Sequence, residues 1–253
     1  MHRSKLENYF DDLLKPASFQ DYCPNGLQVE GAENIKKIAF AVSATRDSIT
    51  QAVDLGADTL IVHHGLFWHF QASRTLTGHF ARRIFPLVQH NINLFAYHLP
   101  LDAHPEVGNA AVLGLNIGCH QQSAFGDYKG SPTGIEGLLT EPLSAKELGL
   151  KLQTVLNHDV IVASPDENQI IESVGIITGG ANSDWALAQK AGLDAYITGE
   201  ISEHDWHESQ ENGIHMFAGG HYATETFGIL ALMQKVQLHY RLECVFIESD
   251  NPA

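Results

Sequence analysis

The sequence predicts an α/β protein of two similar halves, each a mixed, largely parallel sheet flanked by helices. Three observations carry that prediction. Short continuous apolar runs over 38–42, 59–62 and 195–198 read as strands buried on both faces, as parallel sheets require. Between them lie segments of helical period closed by glycine, so strand, helix and strand alternate and imply right-handed crossovers. The third is internal similarity: an offset of 136 lays Gly56-Ala57-Asp58 on Gly192-Leu193-Asp194, and Ile61 on Ile197, which points to duplication. The boundary is expected near the middle, giving domains 1–125 and 126–253.

Taken in order, residues 3–15 set Leu6, Tyr9, Phe10, Leu13 and Leu14 at helical spacing, and Pro16 stops the helix. Residues 21–31 are rich in turn formers and lead into a short strand. A buried strand is expected over 37–43, then a helix over 47–55, capped by Ser43 or Thr45 and ended by Gly56. The strand over 59–62 runs directly into His63-His64-Gly65. A helix follows over 75–89, with Pro86 near its end or kinking it. The strand over 94–97 runs into His98-Leu99-Pro100-Leu101-Asp102, and 109–115 is helical. Residues 117–141, rich in Gly, Gln and Ser, hold the midpoint. The second half reads as helix 144–156, strand 173–178, helix 184–190, strand 195–198, helix 203–212 and strand 216–218. A glycine pair then turns the chain into His221-Tyr222-Ala223-Thr224-Glu225, a helix over 224–235 and a last strand over 243–248.

Composition narrows the function. With 253 residues and 44% hydrophobic content the chain can build its core without disulfides or a structural metal. Three scattered cysteines with no CxxC, no apolar signal core and no apolar run near 18 residues lead to the expectation of a cytoplasmic protein with no membrane span. A net charge of −15 argues against a protein that coats nucleic acid, and equally against a DNA-encircling ring. Fifteen histidines are an excess, and histidine is the commonest metal ligand and a frequent proton-transfer group.

The chemistry collects where parallel sheets bind ligands, at the carboxyl ends of strands. Three predicted strand ends carry polar residues: His63 and His64, His98 with Asp102, and His221 with Glu225. An offset of 123 lays His98 on His221 and Asp102 on Glu225, so each half has a strand end followed by His-x-x-x-carboxylate. Taken singly, each has a plain structural explanation, as a hydrogen-bonded histidine or a turn-forming aspartate. Neighbours on a regular strand point to opposite faces, so His63 and His64 would serve two ions or splay at the strand end. Imidazoles with bridging carboxylates suit two transition-metal ions roughly 3.5–4 Å apart, of the Zn, Fe, Mn, Ni or Co kind rather than Ca or Mg. No cysteine is expected to contribute.

Five ordered motifs then identify a family: Asn25-Gly26-Leu27, Val62-His63-His64-Gly65, Tyr97-His98-Leu99-Pro100-Leu101-Asp102, Thr198-Gly199-Glu200, and Gly219 to Glu225 with His221, Ala223 and Thr224. Together, over nearly the whole chain, they resemble the type 2 homologues of GTP cyclohydrolase I, the Nif-three-like di-metal proteins, in their short form without an inserted domain. The resemblance implies a dinuclear centre held by His63, His64, Asp102, His221 and Glu225, with His98, Glu200 and His207 around it, in a ring-shaped homohexamer. It further implies a metal-dependent, cyclohydrolase-like hydrolase of a small nucleotide-like or pterin-like substrate, with His98, Glu200 and His207 as proton-transfer candidates or as residues that orient the ligands. A non-catalytic ring acting in metal sensing, trafficking or partner binding is the alternative. Gly179-Gly180 reads as a plain turn before it reads as a phosphate cradle.

Overall fold

The computed structural model describes residues 1–71 and 74–253. In chain order it begins α1 (Arg3–Leu14), β1 (Gly26–Val29), β2 (Lys37–Ser43), α2 (Arg46–Asp54), β3 (Thr59–His64), α3 (Gly78–Gln89), β4 (Asn93–Ala96) and the short turn α4 (Leu99–Asp102). It continues α5 (Asn109–Asn116), β5 (Cys119–Phe125), β6 (Gly134–Ser144), α6 (Ala145–Leu156), β7 (Ile161–Ala163), β8 (Ile170–Ile176), α7 (Trp185–Ala191) and β9 (Ala195–Thr198). Last come α8 (Glu203–Glu211), β10 (His215–Ala218), the short turn α9 (His221–Thr224), α10 (Thr226–Tyr240) and β11 (Glu243–Phe246).

Two compact units result, and neither is a sequential half. The first gathers Met1–Leu101 with Ile229–Asp250, the second Asp102–Gly228 with Asn251–Ala253. This departs from the expected boundary at 125/126 for two physical reasons. The final strand β11 pairs in parallel with β2, so it completes the first sheet rather than the second. The supposed midpoint is itself sheet: β5 pairs antiparallel with β6, which pairs antiparallel with β8.

In the first unit the strand order is β1-β4-β3-β2-β11, with β1 antiparallel to β4 and the rest parallel. Ala39, Ala41, Leu60, Val62, Leu94 and Ala96 from three strands meet Ile49, Ala52, Ile84 and Leu87 from α2 and α3 in one core. Helix α2 starts where Thr45 and Ser48 cap each other: the Ser48 N–H reaches the Thr45 hydroxyl at 3.0 Å, and the Thr45 N–H reaches the Ser48 hydroxyl at 2.9 Å. Helix α1 buries Leu6, Phe10 and Leu14 at four-residue intervals, and Phe10 lies 5.0 Å from the Tyr97 ring at the end of β4.

In the second unit the order is β5-β6-β8-β9-β10-β7. Strands β8, β9 and β10 run parallel, and β7 closes the β10 edge antiparallel. Its core joins Val174, Ile176, Ala195, Ile197 and Phe217 to Leu148, Leu152 and Leu156 of α6. Ser144 and Glu147 cap α6 reciprocally. No helix among the described residues is long and apolar enough to cross a membrane.

Candidate metal centre

In the first unit the site forms at the carboxyl ends of β3 and β4. His63 is fully buried and His64 half-buried, and the two rings lie 4.6 Å apart. They splay where the strand ends, so both turn toward the same region instead of opposite faces. The His98 ring sits 5.0 Å from His63 and 5.7 Å from His64. Together the three histidines bring a nitrogen each within 4.8 Å of one another. Trp68 walls the group, edge-on to His98.

Each ring is oriented by its Nδ1. His63 Nδ1 is 2.9 Å from the Tyr97 carbonyl oxygen, which can only accept, so Nδ1 carries the proton and Nε2 keeps its lone pair. His64 Nδ1 lies 3.0 Å from the Ser43 hydroxyl, and His98 Nδ1 lies 2.7 Å from Asp21 Oδ1. Outer partners of this kind fix the tautomer and aim of a ligating imidazole.

Asp21 was not singled out in the sequence, because it sits in a turn-rich segment far along the chain from His98. Its carboxylate also receives the Leu99 N–H at 2.9 Å and the Asn25 side-chain amide at 2.8 Å. Burial works against its charge, but the hydrogen bond and charge of His98, with Asn25 and Leu99, hold its carboxyl below the ordinary aspartate value. Cys23 lies beside this group: its buried thiol is brought within 4.8 Å of ligand atoms of Asp21 and His98. The fold-back of residues 21–25 onto the end of β4, pinned by Asn25 Oδ1 to the His98 N–H, puts it there.

In the second unit the site forms where the turns after β8, β9 and β10 meet. The Gly199 N–H reaches the Gly179 carbonyl at 3.0 Å, and the Gly220 N–H reaches the Gly199 carbonyl at 2.9 Å. Gly199 is required, since a Cβ there would lie 2.7 Å from both the Gly179 oxygen and His221 Cα. Gly179 holds a positive φ of 70°, and a Cβ on it would strike a Glu225 carboxylate oxygen. The Gly179 N–H bonds to Thr224 Oγ1 at 3.2 Å, which fits the plain-turn reading of the glycine pair.

These turns present His221, Glu225 and Glu200, and Asp102 joins them from the end of α4. His221 Nδ1 lies 2.5 Å from Glu200 Oε1, and its Nε2 lies 3.2 Å from Glu225 Oε2. Burial opposes charge on this ring, yet the hydrogen bond and charge of Glu225, followed by those of Glu200, raise it to about 9. Asp102 and Glu225 are both buried and offer oxygens within 4.8 Å of each other. Asn109 steadies Asp102 through its Nδ2 at 2.8 Å, while its own Oδ1 accepts the Gly228 N–H at 2.7 Å. His207 stands apart from these residues' contacts. It lies on α8 with more than half its side chain exposed, 3.3 Å from Glu203, and no metal-capable cluster among the described residues includes it.

The donor chemistry fits transition-metal ions. Imidazole nitrogens with fixed outer partners, and carboxylates withdrawn from solvent, are the ligand types such ions take. The fold and these strand ends define a class: two-sheet α/β proteins with histidine and carboxylate clusters that could hold metal. Comparison supplies the family. Residues 1–252 match the family model described as Duf34/NIF3 (NGG1p interacting factor 3), and the chain belongs to that family. It is 41% identical, over all of both chains, to the "GTP cyclohydrolase 1 type 2 homolog" of Vibrio cholerae. Among solved structures it is similar to protein ybgI, of unknown function, with a TM-score of 0.92 at 38% identity. It is also similar to TTHA1606 of Thermus thermophilus, with a TM-score of 0.91 at 32% identity. Both likenesses cover the whole of each chain.

Proposed function

We propose that this protein is a two-metal hydrolase in which His63, His64, Asp102, His221 and Glu225 hold the ions, and that it acts on a small nucleotide-like or pterin-like molecule. The observation that carries this reading is the orientation of the imidazoles. His63 is held at Nδ1 by a backbone carbonyl and His221 at Nδ1 by Glu200, and the Nε2 of His221 faces Glu225, a second proposed ligand, at 3.2 Å. When bound, such ions supply Lewis acidity that acidifies water at neutral pH and polarises the bond under attack. Zn, Fe, Mn, Ni and Co all suit this donor set.

The protein's own residues then position and move protons. Glu200 holds the Nδ1 proton of His221. His98, balanced by Asp21 at Nδ1, is placed to take or give a proton at Nε2. His207 completes the proposed proton-transfer set, with the least support from its contacts. Ring opening of a purine-like or pterin-like heterocycle is the reaction that the relatives' name suggests. The same reading includes a hexameric ring of identical chains working in the cytoplasm, carried by family resemblance.

Elemental analysis of purified protein tests the metals: about two ions per chain are expected, and His221→Ala with Glu225→Ala should remove at least one. Retention of both ions by the double variant would overturn the ligand set. Turnover is tested by metal-loaded protein against a panel of such heterocycles, and complete inactivity counts against the hydrolase. One observation favours a non-catalytic metal sensor or carrier instead: Glu200 already commits an oxygen to His221, which is a supporting place. In that case Glu200→Gln leaves chemistry untouched, while metal binding alters assembly or partner affinity.

A further inference from the structure

Beside Glu200 the second unit contains an open cavity of about 870 Å³. Its walls come from the end of α6, the turn into β7, the ends of β9 and β10, and the segment Pro252-Ala253. That last segment is fastened in place. The Tyr222 N–H bonds to the Ala253 carbonyl oxygen at 2.9 Å, and His158 Nε2 lies 3.2 Å from the Pro252 carbonyl. The cavity is therefore a shaped feature continuous with the turn that carries His221.

Its chemistry is specific in one respect: no Lys or Arg among the described residues lines it. The charged groups on its walls include the carboxylates of Asp159 and Glu200. The hydrogen-bonding groups include the side-chain amides of Gln153 and Asn157. Neither amide makes a hydrogen bond within the protein among the described residues, so each offers a donor and an acceptor to a ligand. Asn157 holds its place by ending α6 in a left-handed conformation. A polyanion meets two carboxylates here and no Lys or Arg among the described residues. An uncharged ring with amide-like edges meets complementary donors and acceptors, over a floor that includes Ile161, Ile201 and Ala218.

We infer that this cavity takes an uncharged nitrogen heterocycle, of nucleobase or pterin type and without phosphates, bound through Gln153 and Asn157. As a substrate assignment this rests on the hydrolase reading above. As a binding site it does not, because the lining residues named exclude all five proposed metal ligands. The inference narrows the substrate class from nucleotides to bases and their uncharged derivatives.

Calorimetric titration of chelator-treated full-length protein with guanosine, pterin and GTP tests it. Guanosine or pterin should bind, with GTP at least tenfold weaker. Gln153→Leu combined with Asn157→Gly, which preserves the left-handed turn, should weaken guanosine and pterin at least tenfold. Gln153→Lys should narrow or reverse the preference against GTP. The inference is overturned if GTP binds chelated protein as tightly as guanosine, if neither ring compound binds, or if the amide variants leave binding unchanged. Binding without any turnover in metal-loaded protein would retain this site and remove only the hydrolase reading.

Discussion

The two sheets share a scaffold and differ at its edge. In the first, Ile38 lies opposite Thr59; in the second, Val174 lies opposite Ala195, both shifted by 136 positions. Asp58 accepts the N–H groups of Lys36 and Lys37 at 2.7 and 3.0 Å, and Asp194 accepts those of Glu172 and Ser173 at 2.9 and 2.8 Å. Their carbonyls in turn receive Asn93 and His215 at the start of the next strand. Gly56 and Gly192 both turn with positive φ just before. Where the same strands end, the first sheet has His63-His64 and the second has Gly199-Glu200. Both units keep the same backbone device and differ in chemistry: a set of nitrogen donors in one unit, a mainly carboxylate set in the other.

The His-x-x-x-carboxylate match needs one refinement. Strand pairing sets Asn93 against Thr59 and His215 against Ala195, so β4 and β10 correspond with an offset of 122, not 123. One residue is added before His221, and Gly220 absorbs it with φ of 91°. His98 thus precedes its short turn α4, while His221 opens α9. The displaced residue explains their different companions, Asp21 for one and Glu200 with Glu225 for the other.

The largest expected effect separates the two donor sets. His63→Ala with His64→Ala, and separately His221→Ala with Glu225→Ala, should each cost at least one ion per chain by elemental analysis. If only one pair matters, the other pair does not belong to the ligand set and the comparison fails at its functional end. Removing an orienting partner should do less: Glu200→Ala should weaken metal affinity by about 10–100-fold.

Much of this was legible in the sequence. The parallel strands announced themselves as apolar runs because both their faces are buried, and the strand-end histidines followed from that placement. Strands β5 and β6 did not, because most of β5 is exposed or half-exposed and offers no apolar run. The place of β11 was hidden for another reason: its partner β2 is remote in sequence, and nothing local in Glu243–Phe246 names it. Asp21 was missed likewise, since its contact with His98 joins positions 77 apart.

The next test uses the position where the scaffolds differ at one residue. Gly179 corresponds to Ser43 at the offset of 136. Gly179→Ser imposes left-handed strain of about 1–3 kcal/mol and pushes its Cβ into the Glu225 carboxylate. Both stability and metal content should fall. Ser43→Gly keeps the fold and removes only the hydroxyl that faces His64. Equal losses of metal in the two variants would show that the glycine is not there to admit Glu225.

The shared aspartates give a smaller effect. Asp58→Ala and Asp194→Ala each remove two charge-assisted bonds to strand N–H groups, and urea unfolding should show a loss of about 1.5–3 kcal/mol for each. Asp194 should cost more, because it also accepts the Ser173 hydroxyl at 2.9 Å. A loss at one position alone would mean that the device is used in only one unit.

The smallest effect separates the units by pH. Asp205 caps α8 and accepts from Asn182 Nδ2 at 2.6 Å and Trp185 Nε1 at 3.1 Å, with its side chain almost wholly buried. Burial works against its charge, yet these bonds and the Ser202 N–H lower its carboxyl below the ordinary value. A carboxyl lowered by folding stabilises the protein above its unfolded value of about 3.9, and that contribution disappears as pH falls through the lower folded value. Asp205→Asn cannot titrate. Wild type should therefore exceed it near pH 7, and the gap should shrink as pH falls below about 4. Asp21 plays the matching part in the first unit, lowered in the same direction by His98, Asn25 and Leu99. Asp21→Asn should close its gap over the same acid range, and a gap that widened with acid in either variant would reverse the sign of the bonds assigned to that carboxylate.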